Sequence, residues 1–185
     1  MFEANPILFR RPMFRILGSK LHGYDRNGSL VLYSRRQPLK LKETIRVYPD
    51  RSRSREILVI QARQVLDFSA TYDVTDPAEG RRVGALRRKG IRSLFRDEWE
   101  IVGADERPLG RIREDSTGLA LLRRFLLDLI PQSFTFEVNG SAAGTFRQHF
   151  NPFVFKGTLD VGPALDRRLA IAATILLMQI EGRQD

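Results

Sequence analysis

The sequence predicts a mainly β domain. About twelve short strands close into a barrel around an apolar C-terminal helix, and an amphipathic helix lies on the surface. Two observations carry this reading. The last stretch, residues 165–185, reads LDRRLAIAATILLMQIEGRQD, and between Leu169 and Ile180 only Thr174 and Gln179 are polar. The chain before it breaks into short alternating stretches divided by turn residues. At 185 residues, one domain over 1–185 is the natural division.

The apolar run is too short to span a bilayer comfortably. A spanning helix needs about 20 apolar residues for about 30 Å of hydrocarbon, whereas the twelve residues 169–180 cover about 18 Å as helix. Arg167 and Arg168 precede the run, and Glu181 and Arg183 follow it. A helix apolar on every side must be surrounded by protein. It is expected over 164–181, with Pro163 suited to a first turn, Asp166 favouring its positive end and Gly182 closing it.

The strands are read from alternation and turns. Phe68, Ala70, Tyr72 and Val74 alternate with Ser69, Thr71, Asp73 and Thr75, a period of two. The turn DPAEG leads into VGALRRK, and EWEIVG, ADERP and LGRIRE repeat the pattern. KLHGY and SLVLYS flank DRNG, and QSFTFEV and SAAGTFRQ flank NG, both hairpin signals. LKLKETIRVY and REILVIQA add two more. Eleven or twelve strands at regular spacing suggest a barrel or a sandwich. A barrel of about eight strands is filled by its own side chains, whereas a larger one has room inside. The helix that needs a wrapping and the strands that can wrap it therefore fit each other.

The segment 117–131 breaks the β pattern. Leu119, Leu122, Phe125, Leu126, Leu129 and Ile130 recur at helical spacing, Arg123, Arg124 and Asp128 lie largely opposite, and Pro131 ends the run. An amphipathic helix is expected there, its apolar face on the barrel or over a barrel mouth; an interfacial membrane helix has a similar pattern.

The run TYDVTDPAEGRRVGALRRKGIRSLFRDEWEIVGADERPLGRIRED resembles the repeated hairpins of the LURP-one-related and phospholipid scramblase families. In those families a strand ending in V-x-D is followed by a turn, a glycine-containing basic strand, a strand with W-x-I/V, and G-x-I. The matching residues are Val74 and Asp76, Gly84 with Arg87, Arg88 and Lys89, Trp99 and Ile101, and Gly110 and Ile112. The apolar C-terminal helix matches as well, and the resemblance runs from about Phe14 onward. It implies the Tubby C-terminal fold, a twelve-stranded barrel threaded by its last helix. Physically, Gly84 and Gly110 suit barrel corners where strands crowd, and Trp99 is expected to pack inward with its indole N–H partnered.

No catalytic constellation emerges, and no enzyme is expected. The sequence has no GK[ST] loop, no HExxH and no G-x-S-x-G. It has no cysteine and two histidines, His22 and His149, neither with a ligand-type neighbour. Residues 25–28, DRNG, resemble the opening of a calcium loop, but the turn is the better reading. Scramblase relatives carry an acidic calcium segment before the last helix. The matching region here holds only Asp160 and Asp166, too few for the six to eight oxygens calcium takes. No metal or cofactor is therefore expected.

What remains is charge. The net charge is +9, with 31 Lys and Arg against 22 Asp and Glu, and such a surface attracts phosphates. The candidate anion or lipid surface comprises Arg51, Arg53, Arg55, Arg81, Arg82, Arg87, Arg88, Lys89 and Arg92, expected to belong to one face. Anionic membrane lipid is the favoured partner. A nucleic-acid or protein-interaction module is the alternative, and nucleic acid is disfavoured because no basic segment interleaves with exposed aromatics. No transmembrane span and no secretory signal are read, and the absence of cysteine fits a reducing compartment. The expected location is the cytoplasm, at the membrane periphery where the basic surface engages lipid.

Overall fold

The computed structural model describes residues 2–12, 20–36, 44–63, 70–88, 98–115, 131–151 and 153–180. The helix expected at 117–131, apart from Pro131, falls outside them, as do Lys89, Arg92 and Gly182. The strands are β1 (Ile7–Pro12), β2 (Lys20–Tyr24), β3 (Leu30–Arg36), β4 (Thr44–Tyr48), β5 (Leu58–Ala62), β6 (Thr71–Asp76), β7 (Arg81–Arg88), β8 (Glu98–Gly103), β9 (Pro108–Glu114), β10 (Ser133–Val138), β11 (Ser141–His149) and β12 (Val154–Val161). The helix α1 spans Arg167–Ile180.

Every strand pairs antiparallel with its chain neighbour, and β1 pairs with β12 to close the barrel. The closing register runs from Ile7 opposite Leu159 to Pro12 opposite Val154. Neither β1 nor β12 was assigned from sequence. Their alternation is masked, because ILFRRP places Arg11 on the inner face and FKGTLDV carries a glycine there.

The inner faces follow the period of two. Tyr72, Val74, Trp99, Ile101, Ile112, Phe134, Phe136 and Phe146 are buried. Against them packs α1, whose side chains from Leu169 to Gln179 are all buried. Fourteen residues of helix span about 21 Å, and no helix among the described residues is long and apolar enough to cross a membrane. The V-x-D, W-x-I and G-x-I residues therefore belong to the interior. A Cβ on Gly84 would lie 2.3 Å from the Val102 carbonyl oxygen and 3.1 Å from Leu169, and one on Gly110 only 1.8 Å from the Glu137 carbonyl oxygen. Both positions need glycine for close approach.

The turns answer to their residues. Asp25 Oδ1 accepts from the N–H of Asn27 at 2.9 Å and of Ser29 at 2.8 Å, with Gly28 at φ 77°. Asn139 and Gly140, both at positive φ, make the two-residue turn that Asn-Gly favours.

Two expectations are corrected. The helix starts at Arg167, not 164, because the chain must first turn from the wall toward the axis. Pro163 lies in that turn, and Asp166 is the cap, its Oδ1 accepting the Arg168 N–H at 2.9 Å. Trp99 packs inward at 2% exposure beside Tyr72, at 6.1 Å between rings, but its indole N–H has no partner among the described residues. Its neighbours across the strands are Arg88 and Ile112, neither of which offers a side-chain acceptor, and the strand carbonyls are committed to the ladder.

Two outcomes test this core. Ile175→Asp places an unpaired charge where Ile175 is fully buried, and it should abolish cooperative thermal unfolding. Trp99→Phe should stay within about 1 kcal/mol of the parent in denaturant titration, since removing the orphan donor offsets the lost volume. Trp99→Ala should cost about 3–5 kcal/mol.

Candidate functional site

The barrel has two ends. At one end α1 enters, and the turns after β2, β4, β6, β8 and β10 gather there; the helix finishes at the other. This placement divides the expected basic face. The loop carrying Arg51, Arg53 and Arg55 and the start of β7 at Arg81 lie at the entry end. Arg87 and Arg88 lie six and seven residues down β7, about 20 Å away at about 3.3 Å per residue.

The β7 arginines are also engaged. Arg81 pairs with Glu79. Arg82 meets Asp73 at 2.8 Å and Glu106 at 2.6 Å. Arg87 meets Glu100 at 2.9 Å. Arg88 stands opposite Trp99 and so shares its inner face. The arginines of neighbouring strands follow the same habit. Arg63 grips Asp73 with two hydrogen bonds of 2.8 Å, and Arg111 and Arg113 both reach Glu137, at 2.6 and 3.0 Å. Burial opposes ionisation of Asp73, but Arg63 and Arg82 hold its carboxyl below the usual range. Opposite charges stand directly across from one another here: Arg87 from Glu100, Glu100 from Arg111, Glu98 from Arg113. The outer wall from β5 to β10 is thus largely self-neutralised.

The wall from β11 round to β4 is built differently. Lys156 stands opposite both His149 and Arg10. Lys20 stands opposite Arg35, which stands opposite Arg46. Like charges directly opposite are destabilising. Arg46 is relieved by Glu56 at 2.5 Å. Arg10 lies over the Tyr24 ring at 5.2 Å. Among the described residues, Lys20, Arg35, Arg147 and Lys156 have no ion pair. His22 lies in the middle of this wall, stacked near Tyr24 and Tyr33. Burial, then the positive charges of Arg51 and Lys20, hold its pKa below the ordinary value. Arg53, exposed at φ 58°, also has no ion pair among the described residues. The sequence shows Arg35–Arg36 as a basic pair, but the candidate set leaves out Arg10, Lys20, Arg35, Arg147 and Lys156, which lie far apart along the chain. Only the cross-strand register collects them.

A cleft of about 480 Å³ opens at the helix entry. Its centre is Arg168, whose Nη1 donates to Asp76 Oδ2 and Glu79 Oε2, each at 3.0 Å, and whose Nη2 donates to Asp166 Oδ2 at 2.8 Å. Arg167 donates to the Phe2 and Glu3 carbonyl oxygens at 3.3 and 2.7 Å. The lining holds Glu3, Glu56, Asp76, Glu79 and Asp166 against Arg55, Arg167 and Arg168. An excess of carboxylates and an occupied arginine make this cleft unsuited to an anion. Asp160 lies on the outer face, bonded to Asn5 at 3.0 Å, so it and the cap Asp166 serve separate purposes. Among the described residues no three histidine or acidic side chains gather as metal ligands.

A family model described as LURP-one-related matches residues 30–178, from the start of β3 to the last turn of α1. The chain belongs to the LURP-one-related family. A search of the curated proteins returns no match. Membership agrees with the closed barrel and supports a non-catalytic Tubby-like barrel. In LURP-one-related terms the shared motif is interior. Asp76 of V-x-D is nearly buried and is the partner of Arg168 on the helix, which explains an acid at the end of an apolar strand.

Arg168→Met should cost about 3 kcal/mol by denaturant titration, because Asp76, with 7% of its side chain exposed, loses its cation. The pH dependence has a definite sign. Burial opposes ionisation of Asp166, but its hydrogen bonds from Arg168 depress its folded pKa. That contribution to stability is present above the unfolded carboxylate pKa and lost as pH falls through the folded one. The variant should therefore lose less stability than the parent on acidification.

Proposed function

We propose that this LURP-one-related barrel is a non-catalytic module that docks on anionic membrane through the basic wall of β11, β12, β1, β2 and β3. One observation carries the reading: like charges face each other across β12–β1 and β2–β3, with no carboxylate between them among the described residues. An anionic surface relieves that repulsion. Each basic side chain near such a bilayer contributes about 1 kcal/mol, so several together give weak, reversible binding. Exposed charges are screened within about 8 Å at physiological ionic strength, so the binding falls with salt. The expected cytoplasmic, membrane-peripheral location follows from this reading.

Vesicle co-sedimentation tests it. The parent should sediment with vesicles rich in phosphatidylserine at low salt and not with purely zwitterionic ones. Replacing Arg10, Lys20, Arg35 and Lys156 together by glutamine should weaken binding by up to about 4 kcal/mol. Arg87→Gln should change it little, because Arg87 is already paired. Absence of binding by the parent, or equal binding by the quadruple variant, overturns the proposal. So does preference for duplex DNA over vesicles at matched salt. His22 gives a second readout. Bound anions offset Lys20, so its pKa, measured by NMR, should rise on adding anionic vesicles from a free value below about 6.5.

A further inference from the structure

The turn between β11 and β12 leaves two large apolar side chains in water. Phe150 is 62% exposed and Phe153 is 72% exposed. One exposed apolar residue needs no account. Two phenyl rings three residues apart on one short turn are a concentrated feature, and among the described residues the other exposed large apolar side chain is Leu109, at 38%, toward the opposite end of the barrel. The described residues of the turn are tied by hydrogen bonds. Asn151 Oδ1 accepts from the N–H of Phe153 at 3.0 Å and of Val154 at 2.9 Å. At its base the Gln148 N–H donates to the Gln132 carbonyl at 2.8 Å, and Gln148 Nε2 donates to Gln132 Oε1 at 3.0 Å. Phe153 is thus held by a side-chain bond to its own N–H and Phe150 follows the paired base, which lowers the ordering cost of any contact they make.

Their neighbours indicate the contact. The turn begins directly after His149, which stands opposite Lys156, which stands opposite Arg10. Arg147 lies two residues back on the same outer face, and Lys20 and Arg35 lie at the same end of the barrel. Apolar tips with a cationic collar behind them match the layers of an anionic bilayer. Aromatic rings settle at the headgroup and acyl boundary, and basic side chains meet the phosphates above it. A platform for stacked bases would instead spread aromatic rings along a groove beside the cations. We propose that the Phe150–Phe153 turn is a wedge that enters the anionic bilayer, so that the barrel docks with the end where α1 finishes toward the lipid. The wedge rests on the membrane reading above and adds to it an apolar term and a direction.

The two terms separate experimentally. In F150S/F153S the circular dichroism and melting temperature should match the parent, since both rings are solvated. Its partition onto phosphatidylserine vesicles should fall about tenfold, the equivalent of two partly buried rings. That ratio should persist as salt is raised, while the absolute binding of both proteins drops. Direct placement comes from Phe153→Cys carrying an environment-sensitive fluorophore, a unique label because the chain has no cysteine. Its emission should shift blue on anionic vesicles and be quenched by nitroxide lipids. If the parent sediments with these vesicles while F150S/F153S sediments equally, or while the fluorophore stays in water, the wedge is wrong and the charge reading stands. If the parent fails to bind at all, the membrane reading itself is wrong. If the parent self-associates without vesicles and the double variant does not, the rings form a contact between copies, and the wedge is overturned.

Discussion

Helix α1 has no polar side, and this constraint organises the molecule. A helix apolar on every face cannot rest on a sheet; it must be enclosed. Enclosure requires a barrel wider than its own side chains can fill, hence twelve strands, and it requires closure, hence the pairing of β1 with β12. The small residues Ala170, Ala172 and Ala173 keep the helix narrow, and Gly84 lets a strand approach Leu169. The entry is secured by charge. Asp166 caps the helix, Arg168 gathers three carboxylates, and one of these, Asp76, comes from the wall.

Because the helix occupies the interior, recognition by this barrel is directed outward, and the outside is uneven. From β5 to β10 arginines and carboxylates alternate across the strands and satisfy one another. From β11 to β4 the register brings like charges together. The first arrangement contributes to solubility and a little to stability, as exposed ion pairs do. The second costs stability when the protein is alone. Such a cost is relieved by an anionic partner, and the proposed function rests there, not at the acidic helix-entry cleft.

The residues that carry the family resemblance explain the fold and say little about binding. Val74, Trp99, Ile101, Gly110 and Ile112 face the interior or crowd a neighbouring strand, and Asp76 holds the helix. Arg10 and Lys20, by contrast, precede the matched span of 30–178. The motif and the proposed docking wall are thus carried by different residues.

The sequence by itself determined the interior. The all-round apolar run of α1, its length, the period of two on β6 to β10 and the turns at 25–28 and 139–140 are local patterns, and they specified a barrel around a helix. The strands β1 and β12 were not legible, because Arg11 and Gly157 interrupt their inner rows. The unpaired Trp99 indole N–H was not legible either, since a side chain's partners depend on what packs against it. The surface escaped in the same way. A dense run such as RRVGALRR reads as a binding patch, yet carboxylates from adjacent strands neutralise most of it. Arg10, Lys20, Arg35, Arg147 and Lys156 are far apart in the chain and gathered on one wall in space. Charge is written residue by residue, but its effect depends on which residues stand opposite. In a sheet that is set by strand register, which only the tertiary structure decides.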